Sequence, residues 1–125
     1  HHGPKVCLVD KYSSSDGDLF PYGFQKLGLG PIIGTRTWGG IVGITGSKSY
    51  VDGQDVRVPF FTSYSTEGEW IVENHGVDPD IVVDINPFED YLGNDAQLNK
   101  AIEYLLEELK SYKPLPGIPA PRVMP

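Results

Sequence analysis

The chain has 125 residues, 39% of them hydrophobic and 22% charged, and a net charge of −7. That balance fits one globular domain long enough to bury a core and excludes a disordered chain. The negative charge excludes a protein that tracks nucleic-acid phosphates, and no apolar run approaches the ~20 residues of a membrane span. The lone Cys7 excludes an intramolecular disulfide framework and any multi-cysteine metal site.

The chain opens on His1 rather than Met, and no signal-peptide pattern follows. His1-His2 reads either as the end of a purification tag or as native sequence at a cut. In both cases the expectation is a piece of a longer chain.

Val6-Cys7-Leu8-Val9 is a short apolar run after Gly3-Pro4 and predicts a buried strand. Turn and cap residues follow, from Tyr12 to Asp18. Leu19, Phe20, Phe24 and Leu27 then fall at helical spacing. The helix should start near Asp16 and stop at Gly28, with Pro21 tolerable only in its first turn. Pro31 to Thr37, with Ile32 and Ile33, predicts a second strand. Trp38-Gly39-Gly40 breaks it, and Ile41 to Ile44 resumes extended structure.

Gly46-Ser47 and Asp52-Gly53 are turn signals around Ser49-Tyr50-Val51. Val56 to Tyr64 alternates loosely, and Pro59 argues for an edge or a bulge. Trp70-Ile71-Val72 and Ile81-Val82-Val83 predict two more strands, separated by Glu73-Asn74-His75-Gly76-Val77-Asp78-Pro79-Asp80. The strongest helix comes last, capped by Asn94 or Asp95. Leu98, Ile102, Leu105, Leu106 and Leu109 form one apolar stripe, with Lys100, Glu103, Glu107, Glu108 and Lys110 on the other side. Leu115 to Pro125, rich in proline, predicts an extended tail. The fold class is α/β, with strands outnumbering helices.

Two places could carry chemistry. Ser15 lies between a buried strand and a helix N-terminus, where free backbone amides favour developing negative charge. A nucleophilic serine uses that placement. The alternative is that Ser13, Ser14 and Ser15 only cap the helix, the commoner use of serine there. Glu73 beside His75 could serve acid–base work, or the pair could ligate a metal with Asp78 and Asp80. Against this stands a plain turn rich in Asn, Gly, Asp and Pro; neighbouring residues rarely supply ligand geometry.

Three segments in order carry a resemblance. Lys11-Tyr12-Ser13-Ser14-Ser15-Asp16-Gly17-Asp18-Leu19-Phe20, Gly34-Thr35-Arg36-Thr37-Trp38-Gly39-Gly40 and Glu73 to Asp80 resemble the tricorn-type branch of the tail-specific (C-terminal processing) serine peptidases. The resemblance covers about Gly3 to Lys113. It implies the C-terminal half of a crotonase-like α/β spiral over residues 1–113, followed by a Pro-rich tail over 114–125.

The resemblance also implies roles. Ser15 matches the nucleophile, and the Asp16 amide matches one oxyanion donor. Glu73 matches the acid of a Ser-His-Ser-Glu tetrad, where it orients a serine that holds the histidine. That histidine, the second serine and the other oxyanion glycine would lie upstream, outside these residues. His1 and His2 are too near Ser15 in sequence to replace the histidine.

Many tail-specific proteases instead use a Ser–Lys dyad, with the lysine 25 residues after the serine; that position here is Gly40. Lys48 does not match it. A histidine base and acyl transfer to peptides follow from the branch resembled. So do no cofactor, a homo-oligomer, often hexameric, a peptide or unfolded-protein substrate, and the cytoplasm; a periplasmic or exported protein is the alternative. Two other readings use the same fold: a non-catalytic assembly module, and an acyl-CoA enzyme that relies on oxyanion amides alone.

Overall fold

A computed structural model of the chain describes residues 2–44, 46, 49–117 and 119–121. His1, Ser47, Lys48 and the end of the predicted tail lie outside them. The described residues form three strands and three helices. β1 (Cys7–Val9), β2 (Ile32–Gly34) and β3 (Ile81–Val82) make a parallel sheet in the order β1-β2-β3. Cys7 pairs with Ile32 and Val9 with Gly34, while Ile33 pairs with Ile81. Parallel neighbours need crossovers. α1 (Asp16–Lys26) makes the first, and residues 35–80 make the second.

Ile32 and Ile33 are 0% exposed although they point to opposite faces of β2. Both faces of the central strand β2 are therefore covered, as in parallel sheets generally, while Leu8 of β1 and Val82 of β3 stay exposed. Ile32 packs in the core with Cys7, Val9, Phe24, Ile41, Val72 and Val77. α3 (Ala96–Ser111) packs against β1 and β2. It buries Gln97 and Ala101, and Gln97 Nε2 donates to the Val83 carbonyl at 2.9 Å.

Several expectations are corrected. Ile41–Ile44, Val56–Tyr64 and Trp70–Val72 form no strands. The described residues between β2 and β3 meet only in isolated antiparallel bridges, Gly43 to Phe61, Ser49 to Asp55 and Tyr64 to Trp70. Apolar side chains there are largely exposed, so no second layer rewards a full ladder. Strands therefore do not outnumber helices.

α1 begins at Asp16 as expected, but Pro21 sits in its second turn. The lost amide and the clash with the Gly17 carbonyl are costs of the order of 3 kcal/mol. Burial of the Pro21 ring offsets part of this. The packed face of α1 is Asp18, Pro21 and Phe24, while Phe20 and Leu27 are exposed. On α3 the leucine stripe is likewise not the packed face: Leu98, Ile102, Leu106 and Leu109 are all exposed. The Gln97 hydrogen bond and the small Ala101 turn another face to the sheet. α2 (Pro87–Tyr91), which the pattern did not suggest, starts at Asn86, whose side chain accepts from the Phe88 and Glu89 amides. No described helix is long and apolar enough to cross a membrane.

The second crossover is fixed by a close crossing of two loops. Thr37 N–H donates to the Val77 carbonyl at 3.1 Å, and Val77 N–H donates to the buried Thr37 Oγ1 at 2.7 Å. Asn74 N–H donates to the Gly39 carbonyl at 2.8 Å. Gly39 and Gly76 both hold left-handed φ, +83° and +86°. A Cβ on Gly76 would lie 2.2 Å from the Thr37 carbonyl oxygen.

Gly76→Ala should therefore cost more than about 3 kcal/mol, strain plus clash. Gly93→Ala shares the φ, +84°, with nothing within 4 Å, and should cost only about 1–2 kcal/mol. Urea denaturation of the two variants measures both terms. Equal losses would mean that the crossing is not tight.

Candidate active site

Ser15 follows β1 by a short turn and directly precedes α1. Asp10 builds that turn: its Oδ1 accepts from the Tyr12 and Ser13 amides, both at 2.9 Å. Ser15 has φ +56° and ψ −109°, a conformation that a residue with a Cβ rarely adopts. Its carbonyl accepts the Asp18 and Leu19 amides, starting the helix. The Ser15 side chain is thus carried on a sharp, strained elbow and is exposed. Asp16 is the first residue of α1, where an amide has no intrahelical acceptor.

The elbow faces the loop crossing. Trp38 N–H donates to the Ser13 carbonyl at 2.9 Å. The Asp18 carboxylate, 0% exposed, accepts Ser15 N–H at 2.8 Å, Gly39 N–H at 2.8 Å and Gly40 N–H at 3.2 Å. Ser15, Trp38, Gly39, Gly40, Val42, Ile44, Glu73 and Asn74 line one cavity of about 480 Å³. The structure therefore brings Ser15 and Glu73 to the same cavity, 58 positions apart in the chain.

Glu73 is half-buried, and its Oε2 accepts Ile41 N–H at 2.7 Å and Val42 N–H at 3.0 Å. Its Oε1 receives no hydrogen bond from the described residues, which leaves an acceptor for a further group. Val72 and Asn74 on either side of it have φ of +63° and +62°. Left-handed backbone at a buried β-branched residue is costly, and the turn it makes directs Glu73 to the cavity while Val72 stays in the core.

The other candidates lie apart. His75 Nε2 pairs with Asp78 Oδ2 at 2.7 Å, and Arg36 Nε reaches Asp78 Oδ1 at 3.5 Å, all on the exposed surface. Asp80 accepts the Ile32 amide at 2.7 Å and holds the start of β2. Glu73 and Asp80 thus accept from separate backbone amides while His75 and Asp78 pair with each other, and among the described residues no three His, Cys, Asp or Glu side chains converge as for a metal ion. Cys7 is buried, and that burial raises its thiol pKa, so thiolate is scarce.

At Gly40 a Cβ would meet the Trp38 ring at 2.1 Å, so the indole occupies the space that any side chain there would need. Sequence reasoning passed over Asp18, Trp38 and Asn74. Asp18 carries a signal: a serine followed three residues later by an acid is the capping-box spacing. Its reach to Gly39 and Gly40 carries none.

Comparison with known proteins shows the family of the chain. The profile of peptidase family S41 matches residues 1–83. The tricorn protease of Thermoplasma acidophilum is 43% identical over 110 residues, which is 88% of this chain and 10% of that protein. The crystal structure of the tricorn protease superposes with a TM-score of 0.79 at 43% identity, over 85% of this chain and 10% of that one. The photosystem II D1 C-terminal processing protease superposes with a TM-score of 0.55 at 25% identity, over 82% of this chain and 24% of that one. The chain thus spans about a tenth of the tricorn protease it matches. On the profile match and these identities, the chain belongs to peptidase family S41.

Proposed function

We propose that these residues are the nucleophile-bearing part of a serine peptidase that cleaves peptides or unfolded protein through an acyl-enzyme on Ser15. The observation that carries this is the exposed Ser15 on its left-handed elbow, sharing a cavity with Glu73. Ser15 Oγ attacks the peptide carbonyl carbon as a base takes its proton. The tetrahedral oxyanion lies against the Asp16 amide at the positive end of α1. Collapse expels the amine, which receives the proton, and water then releases the acyl group.

The base in this reading is a histidine outside the 125 residues. Glu73 Oε1 accepts from a serine that in turn holds that histidine, and its charge steadies the imidazolium. Gly40 supplies no lysine, which favours histidine over a Ser–Lys dyad. A crotonase-like spiral, completed by the rest of the polypeptide, would enclose the cavity. A cytoplasmic homo-oligomer of hexameric type belongs to the same reading. A serine without its base is a poor nucleophile, so residues 1–125 by themselves should be inactive.

In the full-length enzyme, Ser15→Ala should lower kcat by several orders of magnitude with KM nearly unchanged, leaving the about 10³–10⁴-fold residual catalysis over water of an oxyanion site. Steady-state kinetics on a fluorogenic peptide measures this. A loss below about tenfold would return Ser15 to a helix-turn role.

Glu73→Gln should be milder, a loss of about 10–10³-fold in kcat. The carbonyl oxygen that remains can still accept from Ile41 and Val42, so the loop survives while the charge is lost. An unchanged kcat would reduce Glu73 to a turn residue.

A further inference from the structure

We infer that Asp18 is the positioning residue of the nucleophile. The inference rests on Ser15 being that nucleophile. An acid at the third helical position is an ordinary capping choice, and accepting the Ser15 amide would complete that role. Asp18 does more. Its carboxylate is 0% exposed, and it also accepts Gly39 and Gly40 amides from a loop 21 residues away.

Removing a carboxylate from water is costly unless hydrogen bonds replace its hydration. Here three N–H donors and the helix N-terminus do so. The two oxygens divide the work. Oδ2 takes Ser15 and Gly40, and Oδ1 takes Gly39. Oδ2 therefore joins the nucleophile's own amide to the glycine wall opposite it.

The Ser15 backbone sits at φ +56°, which costs energy and persists only if its surroundings hold it. The Asp18 carboxylate is the holder. It fixes where Oγ projects into the cavity, and it turns the Gly39 and Gly40 amides inward, away from substrate. It touches no reacting atom in this account.

Only an acceptor on both oxygens can serve. In Asp18→Asn one oxygen becomes an NH₂ group that faces N–H donors. The elbow should relax by a fraction of an ångström to an ångström, a misplacement that costs about 10²-fold in rate. Substrate binding should change little, because Asp18 is fully buried and out of a substrate's reach.

The test is steady-state kinetics of Asp18→Asn in the full-length protein, with rates scaled to the folded fraction. The expected result is a fall of about 10²-fold in kcat with KM within about threefold. A merely structural Asp18 would lower the folded fraction and leave kcat per folded molecule within about threefold of wild type, which would overturn the inference.

If Asp18→Asn does not fold, amide exchange in the unmodified protein decides. Amides of Ser15, Gly39 and Gly40 should exchange at least about 10²-fold more slowly than those around the exposed Gly53 turn. Equal exchange would overturn the inference. Loss of activity in Ser15→Ala is read separately, so failure of the nucleophile assignment and failure of the Asp18 role give different results.

Discussion

The approach of two backbones at Gly39 and Gly76 is the constraint on which the rest depends. Residues 37–40 and 72–77 lie so close that a methyl group at Gly76 would meet the Thr37 carbonyl oxygen at 2.2 Å. Hydrogen bonds hold them at that distance, from Thr37 to Val77 in both directions and from Asn74 to Gly39. This crossing joins the loop that leaves β2 to the loop that leads into β3. It carries Glu73 toward the turn that follows β1. The described residues between 41 and 70 bury few apolar side chains of their own, and the crossing is one of the contacts that fix their ends.

Strain is concentrated around the same point. Ser15, Val72 and Asn74 are the described non-glycine residues with positive φ, and Ser15 and Asn74 line the cavity while Val72 supports Glu73 from the core. Strained backbone survives only where the surroundings over-determine it. Around Ser15 the surroundings are the Asp10 turn and the buried Asp18 carboxylate; around Val72 they are its own carbonyl, which accepts from His75 and Gly76, and the core. The energetic effect is to spend folding stability on the placement of two side chains. That expenditure suits a site whose chemistry depends on distance.

Much of this was legible in the sequence. Cys7–Val9, Ile32–Gly34 and Ile81–Val82 fall inside predicted strands, because each is an unbroken apolar run, as parallel strands often are, although only β2 is buried throughout. The start of α1 at Asp16 was readable from its cap residues. The segment from Ile41 to Trp70 was not. Its aromatic and β-branched residues carry strand propensity, which expresses side-chain packing rather than a backbone preference, and here there is little to pack on. The leucine stripe of α3 misled for a related reason. Periodicity reports which face is apolar, while a side-chain hydrogen bond from Gln97 and a small residue at 101 decided which face meets the sheet. At the site, Ser15 and Glu73 were visible as residue types. Their shared cavity was not, since it arises from hydrogen bonds between loops far apart in the chain.

The central claim is that Ser15 Oγ is the group that forms the covalent bond to substrate. A fluorophosphonate reacts with a serine that an aligned base has activated and leaves inert hydroxyls alone. Treatment of the full-length protein, followed by proteolysis and mass spectrometry, locates the adduct. The account predicts one phosphonate on Ser15, with Ser13 and Ser14 unmodified although they share the same tryptic neighbourhood. An adduct on another serine, or none on an enzyme that is cleaving peptide, would contradict it.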